Sequence, residues 1–323
     1  MTTDQSPIVI GCAADEGFAM PLAVLVRSIL NHLSPNRCIS LYVLDLGLPE
    51  PLRERLIRSW PAERIGMHWL KVDPTSLKHL PVWGRMSFAT YQRLLMGSIL
   101  PQELNRIIWL DADAFACTDM AALWDTPLDG KVIGASQDLV VPFVGSLFGV
   151  EQHSQLGLAA DAAHFNAGVM LVDLAAWRAK GVAERSFEYL ARHAGHIWFW
   201  DQEALNVVLA GEWKLLDPRW NQIASVAGRW FFTPAHLDDK QYRQVVDSPF
   251  IVHWAGSIKP WKFRSLRRWH RAWFEVLDQT QWRGWRPPWT MSAIGLGLYD
   301  GIFRNLLYRC EPLLLKAQRR GAH

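Results

Sequence analysis

Cysteine is scarce: only Cys12, Cys38, Cys117 and Cys310 occur in 323 residues, and none falls in a C-x-x-C spacing. That excludes a disulfide scaffold and argues against a cysteine-based zinc centre, so reduced thiols, as in a cytosol, are the expectation. No uninterrupted apolar run reaches the roughly 18 residues a membrane-spanning helix needs, and no such helix is expected. The opening stretch MTTDQSPIVIGCAAD has neither a basic leader nor a long apolar segment, so a secretory signal is not expected either. A G-x-G-x-x-G turn after the first apolar run is missing, which argues against dinucleotide binding. Internal repeats and nucleic-acid-binding motifs are absent too, and no nucleic-acid partner is expected.

What is present is enough apolar residue, 50% of the chain, to build a sizeable core. Charge is unevenly spread. Residues 1–255 hold 21 Lys/Arg against 27 Asp/Glu, a balance of −6, whereas residues 256–323 hold 13 against 4, a balance of +9, with six of the 18 tryptophans. A basic and aromatic end points to an anionic surface as partner.

Short apolar runs alternate with helical patterns. PIVIGCAAD, ISLYVLDLG and IGMHWLKVD read as strands, separated by helices over about 21–32 and 49–60. RIIWL and KVIGASQD read as further strands, ATYQRLLMGSILP as a helix, and HFNAGVMLVDLAAW as a strand running into a helix. WDQEALNVVLAG reads as a helix opening near Asp201, IVHWAGSIKPW as a strand running into a loop, and 139–163 as a loop or flap. This alternation predicts an α/β fold with a mixed, mostly parallel sheet, whose ligands sit at the carboxyl ends of strands. From about residue 263 the pattern changes to a basic helix (RSLRRWHRAWFEVLD), a breaker (RGWRPPW) and an amphipathic stretch over 291–309. The expected organisation is a main domain over 1–262 and a basic, Trp-rich helical extension over 263–323.

Asp111-Ala112-Asp113 follows the apolar run RIIWL. On a strand, residues i and i+2 share a face. Two carboxylates beside a buried run are costly without a partner, and a divalent cation that also attracts phosphate relieves that cost. The plainer alternative is a strand end with two solvated acids. His253, after Ile251-Val252, is either a structural histidine or a ligand, and an imidazole among carboxylates suits Mn²⁺ better than Mg²⁺. Gly256 and Lys259 in AGSIKPW are either a surface turn or a close backbone approach and a point charge for a phosphate. Asp201 is either a helix N-cap or, with Gln202, a sugar contact. Asn166, polar within an apolar strand, needs a partner, either backbone or a ligand hydroxyl or phosphate. Arg93 is a surface helix residue or reaches a phosphate or an acid; Asp138 is a turn residue or an acceptor for sugar hydroxyls.

Seven segments in order, IVIGCAADEGFAMPLAV, ATYQRLLMGSILP, RIIWLDADAFACTDMAALWDTPL, HFNAGVMLVDLAAWR, DQEALNVVL, DPRWN and IVHWAGSIKPW, together resemble glycosyltransferase family 8, the retaining GT-A group. The resemblance covers roughly residues 7–262 and implies a GT-A fold. It implies that Asp15 contacts the base or ribose of a nucleotide and that Arg93 helps hold the donor site. Asp111, Asp113 and His253 would be metal ligands, Gly256 and Lys259 would bind a diphosphate, and Asp138, Asn166, Asp201 and Gln202 would line the donor sugar. The implied donor is UDP-galactose or UDP-glucose, the implied metal Mn²⁺ with Mg²⁺ as alternative, and the implied acceptor a glycan such as lipopolysaccharide core. The sequence departs from the family pattern at Glu16-Gly17, where an asparagine often follows the acid, and at Ala112, where a branched residue is common. The competing readings are a nucleotidyltransferase acting on sugar phosphates and a non-catalytic sugar-nucleotide-binding protein. The expected location is the cytoplasm, with the tail resting on the anionic face of the inner membrane.

Overall fold

The computed structural model describes residues 6–72, 88–226, 236–256 and 258–299, together with Ile302. In chain order the strands are β1 (Ile8–Ala14), β2 (Ile39–Asp45), β3 (Ile65–Lys71), β4 (Arg106–Leu110), β5 (Ala114–Ala116), β6 (Ile133–Gln137), β7 (Phe165–Asp173), β8 (Trp213–Leu215), β9 (Gln222–Ile223) and β10 (Ile251–His253). The helices are α1 (Ala19–His32), α2 (Glu50–Ile57), α3 (Met96–Ile99), α4 (Ala121–Trp124), α5 (Leu174–Ala179), α6 (Val182–Arg192), α7 (Trp200–Val208), α8 (Asp239–Asp247), α9 (Arg268–Leu277) and α10 (Met291–Leu298).

Seven strands form the main sheet in the order β3-β2-β1-β4-β7-β6-β8, and β5-β10-β9 form a small second sheet. β1 runs parallel to β2 and β4, β2 to β3, and β6 to β8; only β7 is antiparallel to its neighbours β4 and β6. The expected mixed, mostly parallel α/β architecture is therefore observed. The central strands are unbroken apolar runs because both faces are covered. On β1, Ile8, Ile10, Cys12 and Ala14 face a core shared with α1 and α9, while Val9 faces a second core shared with α5, α6 and α7. On β4, Ile108 and Leu110 join the first core, Ile107 and Trp109 the second. Edge strand β3 has one exposed side and alternates in burial accordingly.

One local expectation changes. The stretch around Tyr91 is a 3₁₀ segment, Phe88–Leu95, followed by the four-residue α3, rather than one α-helix. There Gly97 lies against the Trp177 indole: a Cβ at Gly97 would come within 2.8 Å of the ring. In the basic segment after residue 263, α9 packs inward. Trp273, Phe274, Val276 and Leu277 of α9, with Trp282 beyond it, belong to the core of β1 and α1. Within the stretch expected to be amphipathic, α10 covers 291–298, and residues 303–309 lie outside the described residues. Among the described residues no helix is long and apolar enough to cross a membrane.

Candidate active site

The carboxyl ends of β1 and β4 lie side by side, because the two strands run parallel with Gly11 opposite Trp109. β1 leads into Asp15, whose carboxylate caps a short 3₁₀ turn, Glu16–Phe18, by accepting from the Phe18 N–H at 3.1 Å. β4 leads into Asp111, Ala112 and Asp113. These three form a turn, not a strand continuation: the Ala114 N–H returns to the Asp111 carbonyl at 2.9 Å. The two acids thus converge through a tight turn rather than through strand alternation. The small Ala112 is buried inside it.

The turn feeds directly into β5, and this is what brings in His253. β10 pairs antiparallel with β5, placing His253 opposite Ala114, the residue after Asp113. The imidazole Nε2 lies 3.2 Å from Asp113 Oδ1 and 3.8 Å from Asp111 Oδ2. One ligand atom from each of Asp111, Asp113 and His253 falls within 4.8 Å of the others. The rear of this cluster is closed by Gly168 on β7, whose carbonyl accepts from the Asp111 N–H at 2.8 Å. A Cβ on Gly168 would sit 2.2 Å from His253 Cε1 and 3.0 Å from Asp111 Oδ2, so any larger residue would drive apart the imidazole and the carboxylate.

A second arm of the site runs through hydrogen bonds. The His253 Nδ1 is 2.9 Å from Asn221 Oδ1, so the ring donates there and leaves the Nε2 lone pair for a ligand. Asn221 Nδ2 donates to Asn166 Oδ1 at 2.9 Å, and Asn166 Nδ2 donates to Asp138 Oδ2 at 2.9 Å. Gln202 Nε2 donates to the same Asp138 oxygen at 3.0 Å, while its Oε1 accepts from the Ala167 N–H at 3.2 Å. Asp138 Oδ1 accepts from the Val140 and Val141 N–H groups at 2.7 and 3.0 Å. Asp138 is therefore a turn residue whose other oxygen joins this chain of hydrogen bonds, and Asn166 has both side-chain and backbone partners, since its Oδ1 also accepts from Gly168 N–H at 3.0 Å.

Charge is matched residue by residue. Arg93 pairs with Asp111 through Nη2 at 3.0 Å and with Asp201 through Nε at 2.6 Å, and donates through Nη1 to the Ala167 carbonyl. It is buried, not a surface helix residue. Burial alone would ease its proton off, but Asp111 and Asp201 outweigh that and raise its pKa. Lys259 donates to Asp113 Oδ2 and, at 2.5 Å, to the Trp254 carbonyl. Burial would raise the Asp113 pKa; Lys259 and His253 together overcome it and hold the carboxyl far below the usual range. Three carboxylates, Asp111, Asp113 and Asp201, thus face two cations, Arg93 and Lys259. Two carboxylates, an Nε2 freed by its Nδ1 partner and a glycine-backed cleft suit a divalent cation.

Asp201 does not cap α7. The N-cap is Phe199, without a side-chain cap, and Trp200 sits at a left-handed φ of 43°, unusual for an aromatic residue. Glu203 is buried and spent on structure: it accepts from Tyr189 Oη at 2.9 Å and from the Trp198 N–H at 2.7 Å. Burial raises its pKa despite those donors. Gly256 is exposed at φ +91°, a backbone that favours glycine. The Asp15 loop meets the Lys259 loop through Phe18 set edge-on to Trp261, 5.9 Å between centroids.

Sequence reasoning passed over three residues that the fold puts to use. Asn221 lies within DPRWN, where a buried asparagine beside a tryptophan is the available signal. Asn206, one helical turn after Gln202, clamps α7 to β7 through the Phe165 N–H at 2.8 Å and carbonyl at 2.9 Å. Gly168 is the glycine of FNAG, with nothing in the sequence to mark which side chain it makes room for.

Over 288 residues the chain is 26% identical to General stress protein A of Bacillus subtilis (strain 168), covering 87% of this chain and 96% of that protein. It is 25% identical over 294 residues to the lipopolysaccharide 1,2-glucosyltransferase of Escherichia coli (strain K12), covering 88% and 82%. The crystal structure of the galactosyltransferase LgtC in complex with donor and acceptor sugar analogs shares the fold, with a TM-score of 0.73 at 24% identity over 90% of this chain and all of LgtC. The model of glycosyl transferase family 8 matches residues 9–265, a span that contains every candidate residue above, and the chain belongs to that family.

Proposed function

We propose that this glycosyltransferase moves a hexose from UDP-galactose or UDP-glucose to a glycan acceptor, lipopolysaccharide core, with retention of anomeric configuration. The observation that carries the reading is the meeting of Asp111, Asp113 and His253 Nε2 beside Lys259 at the carboxyl ends of β1 and β4. The acceptor class rests on the similarity to the Escherichia coli enzyme, and the donor class on the family and on the galactosyltransferase fold.

In this reading Asp111, Asp113 and His253 hold Mn²⁺, with Mg²⁺ as the weaker alternative. When bound, the cation supplies positive charge against the leaving diphosphate. Lys259 adds a second charge there, and Gly256 lets backbone approach the phosphates. Asp15 meets the nucleoside. Asp138, Asn166 and Gln202, held to one another, present polar atoms to the donor hexose, while Arg93 fixes Asp111 and Asp201 in place. Gln202 carries a neutral amide whose two ends are both engaged, so it is a poor nucleophile. Asp201 is bound to Arg93 and Glu203 to Tyr189 and Trp198. This supports attack of the acceptor hydroxyl from the face the diphosphate leaves, without a covalent glycosyl-enzyme.

The decisive experiment is UDP release from a panel of UDP-sugars with Mn²⁺, Mg²⁺ or EDTA. Turnover with one UDP-hexose that EDTA stops supports the reading. UDP and Mn²⁺ binding without release makes the chain a non-catalytic binder. Pyrophosphate release from a nucleoside triphosphate and a sugar phosphate makes it a nucleotidyltransferase.

The functional boundary near residue 262 belongs to the same proposal. The region from 263 on lies at the anionic inner-membrane surface, facing the cytoplasm. Trp289 and Met291 are exposed at 65% and 85%, Leu298 and Ile302 are also exposed, and Arg264 stacks over Trp289 at 4.5 Å. Failure of the full chain to sediment with anionic vesicles at low salt would refute this part alone.

A further inference from the structure

We propose that Trp198 and Phe148 form a stacking platform for a sugar ring of the acceptor, separate from the ring whose hydroxyl reacts. The proposal rests on the reading of the chain as a transferase to a glycan. Trp198 and Phe148 are 46% and 36% exposed and meet edge-to-face, 5.6 Å between centroids at 73°. Exposed aromatics held by one another present a preformed apolar surface with little rotamer freedom left to lose. Leu147 beside them is 82% exposed. Against Trp198 lies a cavity of about 240 Å³, lined also by Glu151, His196 and Ile197.

The chemistry of that cavity selects its occupant. A pyranose has an apolar C–H face and a rim of hydroxyls. The tryptophan ring suits the face; the carboxylate of Glu151 and the imidazole of His196, 3.0 Å apart, suit the rim. Drug-sized ligand sites start at about 300 Å³, so this smaller cavity suits a single sugar ring.

Continuity with the donor site gives the direction. The Trp198 N–H is held by Glu203 on α7, the residue after Gln202. Trp198 and Gln202 are four residues apart, at most about 14 Å of chain. Glu151, across the cavity, belongs to the segment that leaves the site at Asp138, and His193 fixes that segment to the α6–α7 loop at 2.6 Å from Gln152. A glycan lying across both segments therefore delivers its end to the donor-sugar residues.

The test uses the full chain and a deacylated lipooligosaccharide core oligosaccharide as the probe acceptor, with a methyl glycoside of its terminal sugar as the short acceptor. Trp198→Ala raises the KM for the oligosaccharide about tenfold, equal to about 1.4 kcal/mol. Trp198→Phe restores most of the loss, and Phe148→Ala gives about a threefold rise. KM for the methyl glycoside and donor hydrolysis without acceptor stay within about twofold, and saturation-transfer NMR loses one sugar ring's signal in Trp198→Ala. An oligosaccharide KM within twofold of the parent in both alanine variants overturns the proposal. So does an equal loss with both acceptors, or a loss of self-association in place of any acceptor effect. If Trp198→Ala does not fold, Phe148→Ala decides alone. A parent enzyme that releases UDP from no UDP-hexose fails the functional reading instead, before these variants are compared.

Discussion

Two regions of this molecule use positive charge in opposite ways. Around Asp113, Arg93 and Lys259 are buried and each is matched to carboxylates, so the local structure depends on every partner being present. Between Arg264 and Tyr299, arginines lie over aromatic rings, as Arg264 over Trp289 and Arg268 over Trp269, and apolar side chains stand in solvent. The first arrangement is stiff and specific because an unmatched buried charge is expensive. The second tolerates loss of any one exposed arginine because water replaces it. A set of measurements can break or sharpen this contrast.

The largest effect is expected at the acids. Asp113→Asn keeps the shape and removes the charge; UDP release should fall by about 10²–10³-fold, the scale of losing one preorganised electrostatic group. Arg264→Ala should leave turnover of a water-dissolved acceptor within twofold. Equal losses in both variants would erase the distinction between the regions.

Next comes packing. Trp273 on α9 is fully buried and should cost about 3–5 kcal/mol as Trp273→Ala, read from urea unfolding. Trp289→Ala, only a short way along the same basic region, should change stability by under about 0.5 kcal/mol. A small effect at Trp273 would mean that α9 is dispensable to the core.

A smaller effect is expected at Asn221, which bridges His253 and Asn166. Asn221→Leu should weaken Mn²⁺ affinity by about 10–100-fold, measured by electron paramagnetic resonance of free Mn²⁺. Maximal turnover at saturating metal should be far less affected. Unchanged affinity would show that the ring is held by its strand alone.

The smallest is a pH effect. Burial pushes the His164 imidazole down to about 4, against the pull of Asp138 and a contact with the Val141 backbone. An unfolded histidine titrates near 6.5. Between those values the unfolded chain takes up a proton that the native chain refuses. Stability is therefore full above about 6.5 and falls as pH drops toward 4, by about 1 kcal/mol per unit. His164→Phe should flatten that slope in urea titrations at pH 7, 6 and 5, while Arg-to-Ala changes in 264–271 should not.

Much of the fold was legible because it rests on local pattern. Runs such as IVIGCAA and RIIWL are apolar at every position, which a strand covered on both faces requires. HFNAGVMLVDLAAW reads as a strand running into a helix, and in the structure Asp173 caps α5 by accepting from Ala176 N–H at 2.8 Å. Where pattern was ambiguous, tertiary contacts decided. The segment at 88–95 reads as ordinary helix and is 3₁₀ in the structure. Asp201 reads as an N-cap until Arg93 takes it. The basic helix after 263 was legible as a helix, but that Trp273 and Leu277 on it pack with α1 was not.

The sequence by itself determined the alternation of strands and helices, the separation of an acidic body from a basic, tryptophan-rich end, and which polar residues were out of place in apolar surroundings. Those are properties of neighbours along the chain, and side-chain period and solvation are enough to express them. Only tertiary structure decided that His253 reaches Asp113, because β10 must first pair with β5. It alone decided that Asn221 orients that ring and that Gly168 makes room for it. Such contacts join residues tens to hundreds of positions apart, and hydrogen bonds of about 3 Å exist only once the sheets have set the register.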